Sequence, residues 1–365
     1  MEPRRRTTMQ DVARAAGVHQ TTVSLALRND PRLPEATRRR LQEVARELGY
    51  APDPMLSALS FYRAGKQAAK APVTMAFLAN FRDRRELAAS YPHLEFVEGA
   101  QEHAAQIGYR LEVFYLGSRG AAAAGGKIDR TLAARGIMGV IVGALTDRMA
   151  EFQLDWARFS VVLIESQQLG LSLHMISNHQ ARIVRAAVRR LRSLGYRRIG
   201  LAVGEREEFY LRNAFAAGYY VEVAQFADLV RIPPCLLVAA NRGEIGGRLT
   251  TWARAHEVDA VVSNWHVVPD ALRAKGWALP REIVVATLDL VPGVGSNAGM
   301  RQNHRIVGAR AVEQLAILMK TNQRGLVHAP NHTLIEGMWL DGSDVPPRRG
   351  RAGIHSSASI KSSAV

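Results

Sequence analysis

Near the start of the chain, the residues best able to do chemistry are Gln20, Thr21, Thr22, Ser24, Leu25 and Arg28. On a helix, Gln20, Thr21, Ser24, Leu25 and Arg28 fall opposite an apolar face made by Val23, Ala26 and Leu27. One side of such a helix packs, and the other offers amide, hydroxyl and guanidinium groups. A glutamine amide can bond N6 and N7 of adenine together, and a threonine can meet a base edge or a thymine methyl. Thr8, Thr22 and Arg28 suit phosphate oxygens, contacts that position a protein on a duplex without reading its sequence.

Three short helices must hold that face. Met9–Ala16 has apolar residues at 9, 12, 13 and 16, with Thr8 as N-cap, Asp11 in the first turn and Gly17 as breaker. The second helix runs over Gln20–Arg28. Pro34 precedes a third, Glu35–Leu48, with Leu41, Val44, Ala45 and Leu48 inward and Gly49 as its stop. Helix, glycine turn, helix is the helix-turn-helix spacing, which lays the second helix in a major groove ~12 Å wide.

The 365 residues are 47% hydrophobic, which fits two or three globular domains rather than a disordered chain. The net charge of +15 is densest at the ends, with +5 in residues 1–66 and +3 in residues 342–365. This suits a polyanionic partner. The single Cys235 excludes an internal disulfide and a cysteine zinc cluster. No apolar run spans a membrane and no signal-peptide core follows the basic N-terminus, so the expected location is cytoplasmic.

After a polar linker at 62–72 the period changes, and apolar strands alternate with amphipathic helices. Strands are expected at 73–79, 110–116, 137–144, 159–165, 198–204, 235–240, 259–263 and 283–290. Helices are expected at 94–107, 127–135, 179–194, 208–224, 243–256 and 304–320. This alternation predicts an α/β fold of doubly wound parallel sheets in two lobes. Residues 342–365, rich in Ser, Arg, Pro and Gly, are expected to be a disordered tail.

DVARAAGV, TTVSLAL, NDPRL, ATRRR and ELGYAPDP together resemble the DNA-binding headpiece of the lac repressor–galactose repressor family of bacterial regulators. LARGIMGVIVGA, RSLGYRRIGLAVG and LPREIVVATLDL are similar to strings of the family's effector domain. The resemblance implies a headpiece at 1–52, a hinge helix and linker at 53–72, and a periplasmic-binding-protein-like (type I) effector and dimerisation domain at 73–341. Lobe one would hold about 73–175 and 304–335, lobe two about 178–290 and 336–341. Three crossings would lie near Ile176–Ser177, Asp289–Arg301 and Glu336. In the family a hinge leucine enters the minor groove of the operator; Leu59 is the matching residue, an apolar wedge that kinks the duplex.

The implied function is a homodimeric transcriptional regulator, a repressor, binding double-stranded operator DNA under control of a small-molecule effector, expected to be a carbohydrate. Asp289 matches an aspartate that bonds a sugar hydroxyl, while Trp265 and Phe81 follow strands whose ends line a cleft in such sheets. Four departures stand out. Leu25 replaces a polar reader, Arg28 an asparagine and Pro34 a serine cap, and Phe215 takes the place of the effector-binding arginine three residues before Gly218. Arg212, a turn earlier, is the substitute. Phe215 keeps open an alternative in which the second domain is only a dimerisation scaffold. No GxGxxG, P-loop, HExxH or GxSxG motif is present, so neither catalysis nor a cofactor or metal is expected.

Overall fold

The computed structural model describes residues 7–27, 29–50, 72–117, 121–144, 154–165, 171–238 and 242–348. Three helices come first: α1 (Met9–Ala16), α2 (Gln20–Leu27) and α3 (Glu35–Glu47). Thr8 and Asp11 form a reciprocal capping box on α1, and Gly17 ends it at φ +66°, a left-handed conformation that glycine adopts without strain. Val12, Val23, Ala26, Leu41 and Ala45 make a small core. Side chains of α3 finish the other two helices: Arg40 donates to Ala16 O at 2.7 Å and Gln42 to Ala26 O at 2.9 Å. Leu48, expected inward, is 39% exposed, because the helix ends at Glu47 and Leu48 caps it instead of extending the apolar face.

Two parallel sheets follow. The first is ordered β11-β5-β4-β3-β1-β2, from β1 (Val73–Ala79), β2 (Tyr109–Tyr115), β3 (Gly139–Val142), β4 (Ser160–Ile164), β5 (His174–Asn178) and β11 (His332–Ile335). The second is β12-β10-β9-β8-β6-β7, from β6 (Ile199–Gly204), β7 (Cys235–Leu237), β8 (Ala260–Ser263), β9 (Val284–Thr287), β10 (Gly299–Arg301) and β12 (Met338–Leu340), the last antiparallel. The period of two shows in β1: Met75, Phe77 and Ala79 enter one core, and Ala76 and Leu78 the core on the other face. Helices cover both faces, so central strands such as β1, β3, β6 and β8 read as near-continuous apolar runs.

The chain divides into two compact units, Met1–Asn178 with Asn303–Ile335, and His179–Gln302 with Glu336–Val365. In the first, α4 (Arg84–Ala88) and α5 (Tyr91–Gln106) follow β1, α6 (Ala121–Ala134) follows β2, and α12 (His304–Lys320) packs on α5. A Cβ on Gly99 would strike the Arg305 backbone, and one on Gly308 the Phe96 carbonyl, so the two helices touch through reciprocal glycines. Outside that contact, Arg305 pairs with Glu95, Glu98 and Glu102.

In the second unit, α7 (Gln180–Ser193) packs on α9 (Ala214–Gln225). Between them Glu222 is fully buried and held by Arg185 at 2.9 Å and Arg189 at 2.7 Å. α8 (Glu205–Tyr210), α10 (Arg242–Ala255) and α11 (Val268–Arg273) complete the unit.

β10, β11, β12, α4 and α11 are not among the expected elements, and three further differences have a visible physical cause. The single helix expected at 208–224 is broken at Arg212 and Asn213, both left-handed. The buried Glu208 carboxylate accepts from the amides of Phe215 and Ala216 and so starts α9 afresh. Strand β5 was not expected; three of its five residues are polar, yet all five are buried. Residues 342–348 are not a disordered tail. Val345 lies in the core of the second unit, Tyr196 donates its hydroxyl to Pro346 O at 2.7 Å, and Arg348 N donates to Leu194 O. Residues 349–365 lie outside the described residues.

Candidate nucleic-acid interface

α2 carries the candidate readers. Val23 and Ala26 are buried, Gln20 and Thr21 are exposed, and Thr22, Ser24 and Leu25 are half-buried. One side of the helix therefore holds Gln20, Thr21, Ser24 and Leu25 together, as helical spacing requires. Arg28 and Leu59 lie outside the described residues, as does the whole hinge segment 54–61. Thr8 is exposed, and its hydroxyl donates to Asp11 Oδ2 at 2.6 Å, so its proton serves the cap.

His19, which spacing alone did not single out, sits immediately before α2. Its carbonyl accepts from the amides of Thr22 and Val23, and its ring Nδ1 lies 2.9 Å from Thr21 Oγ1 and 3.3 Å from Thr21 N. The available signal was its position at the N-cap of the second helix.

The four effector candidates fall in different places. β6, β8 and β9 are parallel neighbours, so residues after their C-terminal ends come to one edge of the sheet. Asp289 is there, 7% exposed, its amide donating to Thr287 Oγ1 and its carbonyl accepting from His266 Nε2 at 2.6 Å. Trp265 is there too, half-buried, its indole nitrogen beside the space a Cβ on Gly204 would need. Glu207 shares that space, and the amide of Gly204 donates to Asn264 Oδ1. Spacing found neither Glu207 nor Asn264, since strand order decides which loops meet.

Arg212 is exposed in the left-handed break between α8 and α9, and Phe215 is a core residue. Phe81 belongs to the first unit, half-buried, its ring 5.0 Å from that of His93. Among the described residues no group of three or more His, Cys, Asp or Glu is arranged to hold a metal, and no helix is long and apolar enough to cross a membrane.

Burial pushes the Glu208 carboxyl above its ordinary range, in spite of two backbone amides that favour its charged form. For Glu222, burial also acts upward, but hydrogen bonds from Arg189 and Arg185 outweigh it and hold the carboxyl below the ordinary range.

Comparison with known proteins agrees with this layout. Residues 8–53 match the family model for bacterial regulatory proteins of the lacI family. The regulator PtxS of Pseudomonas plecoglossicida is 30% identical over 205 residues, 56% of this chain and 55% of that protein. The repressor CytR of Escherichia coli is 52% identical over 48 residues, 13% of this chain and 14% of its own length. The match thus spans about half the length of the first relative and far less of the second. Among solved structures, a transcriptional regulator CelR–cellobiose complex has TM-score 0.58 at 18% identity, covering 93% of this chain and 100% of that one. A lac repressor dimer bound to operator and the anti-inducer ONPF has TM-score 0.56 at 18% identity, covering 94% and 100%. At such identities the likeness is one of fold, a headpiece followed by two α/β lobes.

Proposed function

We propose that this chain, whose residues 8–53 are a lacI-family headpiece, is a cytoplasmic transcriptional repressor that binds a pseudo-palindromic operator as a homodimer. The observation that carries this reading is α2, whose exposed Gln20 and Thr21 and half-buried Ser24 and Leu25 share one side of a helix anchored by Val23 and Ala26. One headpiece reads a half-site, so two-fold symmetry in the protein calls for two-fold symmetry in the DNA. Gln20, Thr21 and Ser24 face base edges, Leu25 meets a thymine methyl, Thr22 and Arg28 meet phosphates, and Leu59 wedges the central step.

A carbohydrate effector is held in part by Asp289 and Trp265, one bonding a hydroxyl and the other stacking on a sugar face. Its differential affinity for two states of the dimer sets how far it shifts operator binding. The relatives support this: one solved regulator holds cellobiose and another is a dimer on operator DNA. The test is to capture genomic fragments with purified protein at moderate salt and sequence them. A palindromic consensus is expected, and diffuse recovery would overturn the reading.

Phe215 favours a second reading of the effector domain. The position of the family's effector arginine is filled here by a core residue, which suits a dimerisation scaffold without a working ligand site. Melting the protein against a panel of neutral sugars decides: a rise in Tm supports gating, and silence across the panel supports the scaffold.

A further inference from the structure

We infer that His19 reads a purine N7 in the major groove, as a base-contacting residue fixed in place by the helix it caps. The inference rests on the regulator reading and deepens it. Nδ1 of His19 accepts from the main-chain amide of Thr21 at 3.3 Å, and an acceptor nitrogen carries no proton. The neutral ring therefore holds its proton on Nε2, an assignment made from the hydrogen-bond network. The Thr21 hydroxyl, 2.9 Å from the same nitrogen, is then the donor in that contact. Its oxygen keeps its lone pairs for the outside.

The two side chains thus form a set pair on the exposed first turn of α2: a donor at His19 Nε2–H and an acceptor at Thr21 Oγ1. The helix itself restrains the ring, since His19 O accepts from Thr22 N at 2.9 Å and Val23 N at 3.3 Å while Nδ1 caps the second helical residue. The N-terminal residues of a recognition helix are the ones that contact base edges. A purine N7 accepts from an N–H, and adenine N6 or cytosine N4 donates to the lone pairs of a hydroxyl. His19 and Thr21 match such a neighbouring acceptor and donor.

The experiment compares full-length wild type with His19→Asn and His19→Ala by selection from a randomised DNA library, followed by affinity measurement on the selected site and on random DNA. Asparagine still caps a helix, so His19→Asn keeps α2 while removing the ring. Circular dichroism checks that the helices persist. The expected result is lost preference at one symmetry-related pair of positions and a roughly ten- to hundredfold weaker specific complex, with affinity for random DNA unchanged. An unchanged consensus and affinity in His19→Asn would reduce His19 to a cap and overturn the assignment. Equal weakening on selected and random DNA would make it a phosphate contact and overturn it too. A wild-type protein that selects no consensus sinks the regulator reading, and this one with it.

Discussion

The headpiece and the sheet units solve the problem of holding a site in opposite ways. In the headpiece the candidate readers ride on one eight-residue helix, kept in place by a few buried side chains and by hydrogen bonds at helix ends from Thr8, His19, Arg40 and Gln42. In the second unit the candidate ligand residues Trp265 and Asp289 come from loops after different strands, and a large two-faced core aligns those strands. A domain of some fifty residues buries little surface, so each contact in the headpiece is a large share of its stability. The sheet units spread the same task over many contacts.

Substitutions sharpen this contrast in order of size. Leu41→Ala, at the fully buried centre of the headpiece, should cost ~2–5 kcal/mol. It should abolish operator binding while the main melting transition of the sheet units stays put; a retained operator affinity would show that the headpiece has stability to spare. Replacing both Arg185 and Arg189 by alanine strands the buried Glu222 carboxylate and should cost about 3 kcal/mol, seen as a lower Tm with headpiece binding intact. Gly308→Ala pushes a methyl into the Phe96 carbonyl and should cost ~1–3 kcal/mol in the first unit. Arg305→Ala removes ion pairs from a guanidinium that is 39% exposed and should cost under about 1 kcal/mol. A larger loss would mean that the α5–α12 contact depends on charge more than on its glycines.

Acid separates two carboxylates of the second unit. Glu222 is held below its unfolded pKa, so its contribution is present above the ordinary carboxylate range and is lost as pH falls through its lowered value. Glu208 is raised, so protonation favours the folded state: its contribution is full below the ordinary carboxylate range and is lost as pH rises through its raised value. Glu208→Gln should therefore flatten the stability change above the ordinary carboxylate range, and Glu222→Gln the loss below it. Chemical denaturation across pH reads both, and identical profiles for the two variants would refute the opposite signs.

The headpiece was legible because its information is local. The capping box, the glycine turn and the 3.6-residue period fix α1–α3 almost to the residue, and Val23 and Ala26 declare which side of α2 is left free. The sheet units were legible as strands and helices but less so as a site. Glu207 and Gly204 meet Asn264 and Trp265 only because β8 lies beside β6, a pairing that no spacing within one segment encodes. β5 was missed because its polar His174, Ser177 and Asn178 satisfy themselves inside, with Asn178 Nδ2 donating to Glu165 and its Oδ1 accepting from Asn303 N. The break at Arg212 was missed because a buried glutamate, not a glycine or proline, makes it.

The path of the chain also sets an order of events during synthesis. The first unit needs α12 and β11 from Asn303–Ile335, and the second needs β12 and the packed residues through 348. The first unit therefore lacks its last elements until Ile335 has been made, and the second until residue 348. The three helices lie in one contiguous stretch ahead of both sheet units, so they are made before either unit is complete. A nascent chain would therefore carry three finished helices well before either sheet unit is complete. A stop codon between residues 73 and 335 would leave those helices attached to two incomplete units, and one between 336 and 348 would truncate the second unit alone.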